Sequence, residues 1–198
     1  HMIPKACYIP VFLFGLILKD KEGNRFFTKR WTMLPITAIW ECIYAANQGF
    51  ANISLDEIRN ECRCELCVAS KQNVGQRFAA AVARAREIVR RHAPDADIYM
   101  FADQVDPNHN AEEHCCGCHT SFVGVWDLMP KDVIMCPWYG SKCDVCVKFL
   151  DDHGYRTFGF GYYDAATDEK TVEGARNWTK ALIGAKGGRG LCYTSWLR

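Results

Sequence analysis

From residue 96 onward the chain alternates short apolar runs with amphipathic stretches, and no other feature constrains the fold as much. "ADIYMFADQV" reads as a strand, "NAEEHCCGCHTSFVG" as a helix, "KDVIMCPWY" as a strand and "SKCDVCVKFLDDHG" as a helix stopped at Gly154. "YRTFGFGYYDA" reads as a third strand, "TDEKTVEGARNWTKALIGAKGG" as a helix capped by Thr167, and "RGLCYTSWLR" as a closing strand. Strands in alternation with helices predict an α/β core, with helices packed on a central sheet. Glycine after the last helical turn marks a stop, because it adopts the left-handed conformation without a Cβ penalty.

The first half is less regular. "VFLFGLILKDKEGNRFFTKRW" predicts a hairpin, with a turn over Lys19 to Asn24. "TMLPITAIWECIYAANQGF" predicts a helix from Pro35 to a stop at Gly49, and Ser54 to Glu57 a capping box opening a short helix through Cys62. Asn73 to His92 carries the clearest helical period: Val74, Phe78, Val82, Ala85 and Val89 share one face, and arginines occupy the other. The arginine face reads as solvated, since the net charge is only +1 and offers no bulk attraction for nucleic acid. The expected organisation is an N-terminal hairpin and helical extension over residues 3–70, and a core over 71–198.

Hydrophobic content of 49% across 198 residues suffices for a packed globular core. No apolar run reaches the roughly 18–20 residues of a membrane span; the longest, Tyr8 to Leu18, contains Pro10 and Gly15. No membrane partner is therefore expected. Twelve cysteines permit a disulfide set or metal sites with free thiols. With the sequons at Asn52 and Asn177 they lean toward a secreted protein, the alternative being cytoplasmic.

The chemistry concentrates between two helix starts. His109, Glu112, Glu113 and His114 open one expected helix; Cys143 and Cys146 open the next, across one strand. Helix starts beside neighbouring parallel strands lie close together. One histidine and two cysteines would give zinc three ligands and leave its fourth position for water, the arrangement of a catalytic site. A glutamate one or two residues away could then move protons. Taken alone, the Cys143–Cys146 pair also reads as a redox pair or as halves of two disulfides. Cys62, Cys64 and Cys67 suit either a zinc knuckle, with Cys42 or His92 as fourth ligand, or disulfides to Cys115, Cys116 and Cys118. Cys7 and Cys192 are bridging or buried thiols.

This order of elements resembles the zinc-dependent cytidine and nucleic-acid deaminases, whose signature is H-x-E followed by P-C-x-x-C. "VWDLMPKDVIMCPWYGSKCDVCVKFL" is similar to the AID/APOBEC-like branch in its W-D-L-x-P segment, aromatic strand and C-x-x-C, and the cysteine abundance is similar to that of its secreted members. The likeness covers residues 97–198. It implies a three-layer cytidine-deaminase-like core with a central mixed sheet flanked by helices, and Zn2+ as cofactor. It also implies hydrolytic deamination of cytosine, or less readily adenine, in a nucleoside or single-stranded nucleic acid. Glu112 would shuttle protons, His109 or His114 would join Cys143 and Cys146 on the metal, and Trp138 and Tyr139 would line the pocket. Tyr162 and Tyr163 would read neighbouring bases. Trp126 and Trp178 read as core.

The chain departs from the pattern at two places. Lys142, not proline, precedes Cys143, and Pro137 lies six residues earlier. His114 stands 29 residues before Cys143 but is followed by Cys115 and Cys116, whereas His109 is followed by Asn110, Ala111, Glu112 and Glu113. Either the motif carries an insertion and Glu112 is catalytic, or the chain is an inactive deaminase-fold protein: a disulfide-rich secreted binding protein or effector. A cysteine hydrolase using Cys136 or Cys143 is a third reading, without a spaced base to support it.

Overall fold

The computed structural model describes residues 17–19, 25–27, 50–53, 55, 57–162 and 167–194. The chain separates into two compact units, His1–Thr37 and Ala38–Arg198. In the first, strand β1 (Ile17–Lys19) pairs antiparallel with β2 (Arg25–Phe27), as expected for the hairpin. The helix expected from Pro35 to Gly49, with Cys7 and Cys42, lies outside the described residues.

In the second unit five strands form one sheet: β3 (Phe50–Asn52), β4 (Asp97–Phe101), β5 (Val133–Cys136), β6 (Thr157–Tyr162) and β7 (Gly188–Thr194). They lie in sequence order, and every neighbouring pair is parallel. The expectation of a mixed sheet is thus corrected. Each strand returns through a long crossover, and parallel pairing requires such a crossover where antiparallel pairing needs only a short turn. Residues 50–52, read within the extension, instead supply the edge strand of the core sheet.

Among the described residues four helices accompany the sheet: α1 (Glu65–Ala69), α2 (Val74–His92), α3 (Cys143–Asp152) and α4 (Asp168–Gly184). Asn73 caps α2: its side chain accepts from Gln76 N at 2.7 Å, and Gln76 Oε1 accepts from Asn73 N at 3.0 Å. The apolar face of α2 is buried as its period requires, in one core with Ile98, Met100, Val133 and Met135. On its polar side Arg86 and Arg90 hold Asp132 at 2.6 and 3.1 Å. Thr167 caps α4 by accepting from Lys170 N. Gly154, at φ +76°, follows the end of α3.

Trp178 of α4 is 1% exposed and packs against Gly159 and Gly161 of β6. A Cβ at Gly159 would fall 2.8 Å from Trp178 Cε3, so the close approach needs glycine. By strand alternation Gly159 shares the face of Ile98 and Met135, and α2 and α4 therefore cover the same face. The opposite face carries Tyr99, Phe101, Phe158 and Phe160. Their rings meet edge to face, Tyr99–Phe158 at 5.6 Å and Phe101–Phe160 at 5.2 Å. The arrangement is α/β and consistent with a three-layer fold, whose further layer would cover this aromatic face. Among the described residues, no helix is long and apolar enough to cross a membrane.

Two expected helices are absent. Residues 102–132 form a loop with short 3-10 turns at Cys115–Gly117 and Val125–Asp127. Side chains compete for the backbone there: Asp106 Oδ1 accepts from Asn108 N at 2.8 Å, and Asn110 N donates to the Asp103 carbonyl at 2.8 Å. His114, Cys116, Gly117 and Gly124 take positive φ, which ends any helical run. Residues 57–62 likewise lack the helix expected through Cys62. Their amides are spent on another loop, Glu57 N donating to Asp103 Oδ2 and Ile58 N to Gln104 Oε1.

Candidate functional site

Parallel strands place all their carboxyl ends along one edge, which is where ligands bind in open α/β sheets. The segments that follow β3, β4 and β5 meet there, and β6 ends there at Tyr162. Ala102 N donates to the Cys136 carbonyl at 3.1 Å and Phe160 N to the Pro137 carbonyl at 2.9 Å, so the two loops leave the sheet in fixed directions. Asp103, Gln104 and Asp106 are buried in the first of them. Gln104 spans the main chain of Ile58 with both ends of its amide, at 2.9 and 3.0 Å. Asp103 accepts from Glu57 N at 2.9 Å and from Asn110 Nδ2 at 3.2 Å. These two residues staple the edge together.

Asp106 is differently placed. Its Oδ1 is used by Asn108, while Oδ2 is buried with no N–H or O–H donor on it, and the Cys146 thiol is the group beside the carboxylate. A buried carboxylate oxygen left in that state costs about 1–3 kcal/mol or more. Beside it stand His109 and Cys146. His109 N donates to the Asp106 carbonyl at 3.0 Å. The His109 ring lies 4.3 Å from Trp138, edge to face, and 4.7 Å from Tyr139. Burial pushes the imidazole below its usual range, against the opposing pull of Asp106 and Glu57. Trp138 Nε1 is a second buried group with no hydrogen-bond partner.

Cys143 and Cys146 occupy the first turn of α3, both buried. Burial pushes the Cys146 thiol well up, and the adjoining Asp106 carboxylate pushes it further. Cys143 is raised by burial and then by Asp144, and it packs with Val147, Trp178 and Leu182. It also lines a groove of about 760 Å³ between α3 and α4. Lys142 ties this helix start to the other loop: its Nζ donates to the Asn108 carbonyl at 3.0 Å and lies 5.0 Å from the Tyr139 ring centre.

The edge thus gathers His109, Cys146, Trp138 and Tyr139, with Cys143 three residues from Cys146 on the same helix. Tyr162 ends β6, and the Glu57 charge is felt both there and at His109. Tyr163 lies outside the described residues. Glu112 is exposed, and its charge is felt at Cys115. His114 is exposed at φ +53°, heading the turn Cys115–Gly117. The sequence reading missed Asp106 and Glu57. Asp106-Pro107-Asn108 carried a signal, since Asp two residues before Asn favours a side-chain-bonded turn over a helix.

Zinc suits the donor types present: two thiols, an imidazole and a buried carboxylate beside one of the thiols. As they stand, no three His, Cys, Asp or Glu side chains among the described residues converge on a metal position.

The other cysteines form two groups. Cys62 and Cys67 are buried and Cys64 is exposed, with Cys64 Sγ 3.2 Å from Cys67 Sγ. Cys115 Sγ lies 3.0 Å from Cys116 Sγ, and Cys118 is buried nearby. The two segments are tied by Asn60 N to the Cys116 carbonyl at 3.1 Å, His119 N to the Glu61 carbonyl at 3.0 Å, and Arg63 Nε to the Gly117 carbonyl at 2.9 Å. The short sulfur contacts fall within each group. No family model and no curated protein matches this chain.

Proposed function

We propose that the carboxyl edge of the sheet is a zinc-dependent site for hydrolytic deamination of a cytosine-type base, free or in a single strand. The observation that carries this reading is the buried Asp106 carboxylate, set beside the Cys146 thiol and His109 with Trp138 and Tyr139 alongside. His109, Cys143 and Cys146 would hold the zinc. Bound there, zinc would supply a Lewis acid that lowers the pKa of water.

The remaining roles fall to the chain itself. Asp106 Oδ2 would accept a proton and return it to the departing amine, a task for a carboxylate held out of water. Of the two acids considered, Asp106 rather than Glu112 adjoins the thiol. Trp138 and Tyr139 would stack the base, worth about 1–3 kcal/mol per contact. Trp138 Nε1 offers an unfilled donor and Asp106 Oδ2 an unfilled acceptor. A ring bearing a carbonyl and an amino group answers both. Cytosine has that pair of groups; adenine lacks the carbonyl.

A second reading is favoured by the exposure of Glu112 and the abundance of thiols: a base-binding, catalytically silent protein of an oxidising, secreted setting. Elemental analysis and an ammonia-release assay on cytidine and on a cytosine-bearing single strand test both. The expected result is about one zinc per chain, lost in Cys146→Ser, with turnover lost in Asp106→Asn. Zinc near zero in protein never exposed to chelator defeats the metal reading. Base binding without ammonia release from zinc-loaded protein selects the silent one.

A further inference from the structure

Cys64 and Cys67 stand apart from the site above. Cys64 is exposed immediately before α1, Cys67 is only 9% exposed, and their Sγ atoms are 3.2 Å apart. Positions three apart across a helical turn have Cβ atoms about 5–6 Å apart. A disulfide needs about 3.5–4.5 Å, so closing this pair takes a small adjustment of a short, exposed helix. Cys62, buried, is felt electrostatically by the same pair, its thiol being raised in part by Cys67.

We propose that Cys64 and Cys67 form a reversible dithiol–disulfide couple, with Cys64 as the attacking and Cys67 as the resolving thiol, exchanging with small-molecule disulfides of the glutathione type. The Cys64 thiolate attacks one sulfur of the external disulfide. That S–S bond breaks, one external thiolate leaves, and Cys64 is held in a mixed disulfide. The Cys67 thiolate then attacks the Cys64 sulfur and expels the second external thiolate. The chain loses two electrons and two protons, and the external disulfide is reduced to two thiols.

Access and acidity both favour this order. Hydrogen bonding with the Cys67 main chain, then with its side chain, holds the Cys64 thiol below its usual range. Cys67 is pushed up, first by its hydrogen bond with Cys64 and then by burial. An accessible thiol of lowered pKa is the better nucleophile, and a covered neighbour is the natural resolver. Cys62 competes poorly for the external reagent, since burial lifts its thiol to about 11. Cys67 also lines a cavity of about 180 Å³ with His119, so a metal held by Cys62, Cys64, Cys67 and His119 is the rival explanation for this cluster.

The test equilibrates the full chain with reduced and oxidised glutathione, blocks remaining thiols by alkylation and maps the peptides by mass spectrometry. The expected result is a peptide over residues 62–67 in which Cys64 and Cys67 together lose two hydrogens under excess oxidised glutathione and regain them under reductant. Cys67→Ser should accumulate glutathione on Cys64, at least roughly tenfold faster than Cys64→Ser accumulates it on Cys67. Cys62→Ser, with an unchanged circular dichroism spectrum, should retain the couple. The proposal falls if both thiols stay fully alkylatable under excess oxidised glutathione, or if Cys67→Ser traps nothing on Cys64. It also falls if a chelator alone, without reductant, unmasks the protected thiols.

Discussion

Two of the chain's C-x-x-C pairs stand at α-helix starts, and their surroundings are opposite. Cys143 and Cys146 open a ten-residue helix, are buried, and have thiols raised by burial, that of Cys146 also by Asp106. Cys64 and Cys67 flank the start of a five-residue helix at the surface, with Cys64 exposed and its thiol lowered. Spacing is identical in the two, and a helix dipole would favour thiolate in both. The difference teaches that desolvation outweighs that dipole once a thiol is taken out of water. The inner pair would need a cation or base to take its protons; the outer pair presents an exposed thiol as it stands.

The largest effect expected from breaking this contrast comes from Trp178. Its ring is 1% exposed and covers Cys143 and Val147. Trp178→Ala should cost about 3–5 kcal/mol in denaturant unfolding and open Cys143 to alkylation. In the unaltered protein, alkylation at neutral pH followed by mass spectrometry should modify Cys64 on the order of 100-fold faster than Cys146. Equal rates would erase the distinction between the pairs.

Gly159→Ala sharpens the same question from the sheet side. The added methyl would meet Trp178 Cε3 at 2.8 Å and Leu182 Cδ1 at 3.0 Å. A melting curve should show a loss of about 1–3 kcal/mol, while the Cys64 alkylation rate stays unchanged.

The smallest effect is electrostatic. Burial raises Asp132, but hydrogen bonds from Arg86 and Arg90 outweigh it and hold the carboxyl below its usual range. A lowered carboxyl pKa gives stability that is present above the unfolded value near 3.8 and lost as pH falls through the folded value. Asp132→Asn should therefore cost less than about 1 kcal/mol at neutral pH, since the pair is partly exposed, and less near pH 2. Urea titrations at the two pH values read the difference.

Legibility in the sequence followed the source of each element's order. The helix Val74–His92, its Asn73 cap, the Thr167 cap and the stop at Gly154 were all readable, because a periodic face and a capping side chain are local properties. The short strand Phe50–Asn52 was not. Three residues carry no period, and only pairing with Asp97–Tyr99 makes them a strand. Residues 102–132 were misread as partly helical because their order comes from distant partners, such as Glu57 and Ile58, on the loop that follows β3.

The candidate site divides the same way. His109, Cys143 and Cys146 were named from residue type and spacing, and Trp138 and Tyr139 from the family resemblance. Asp106 was not, because an aspartate becomes distinctive only when it is buried with an unfilled oxygen beside a thiol. Sequence by itself determined the α/β class, the long helices with their caps, and the residue types available for chemistry. Tertiary structure alone decided that the described core sheet is wholly parallel and that Asp106 adjoins Cys146. It also decided which C-x-x-C pair puts a thiol at the surface. Period and capping act over a few residues, whereas register, burial and desolvation arise only when segments distant in sequence pack together.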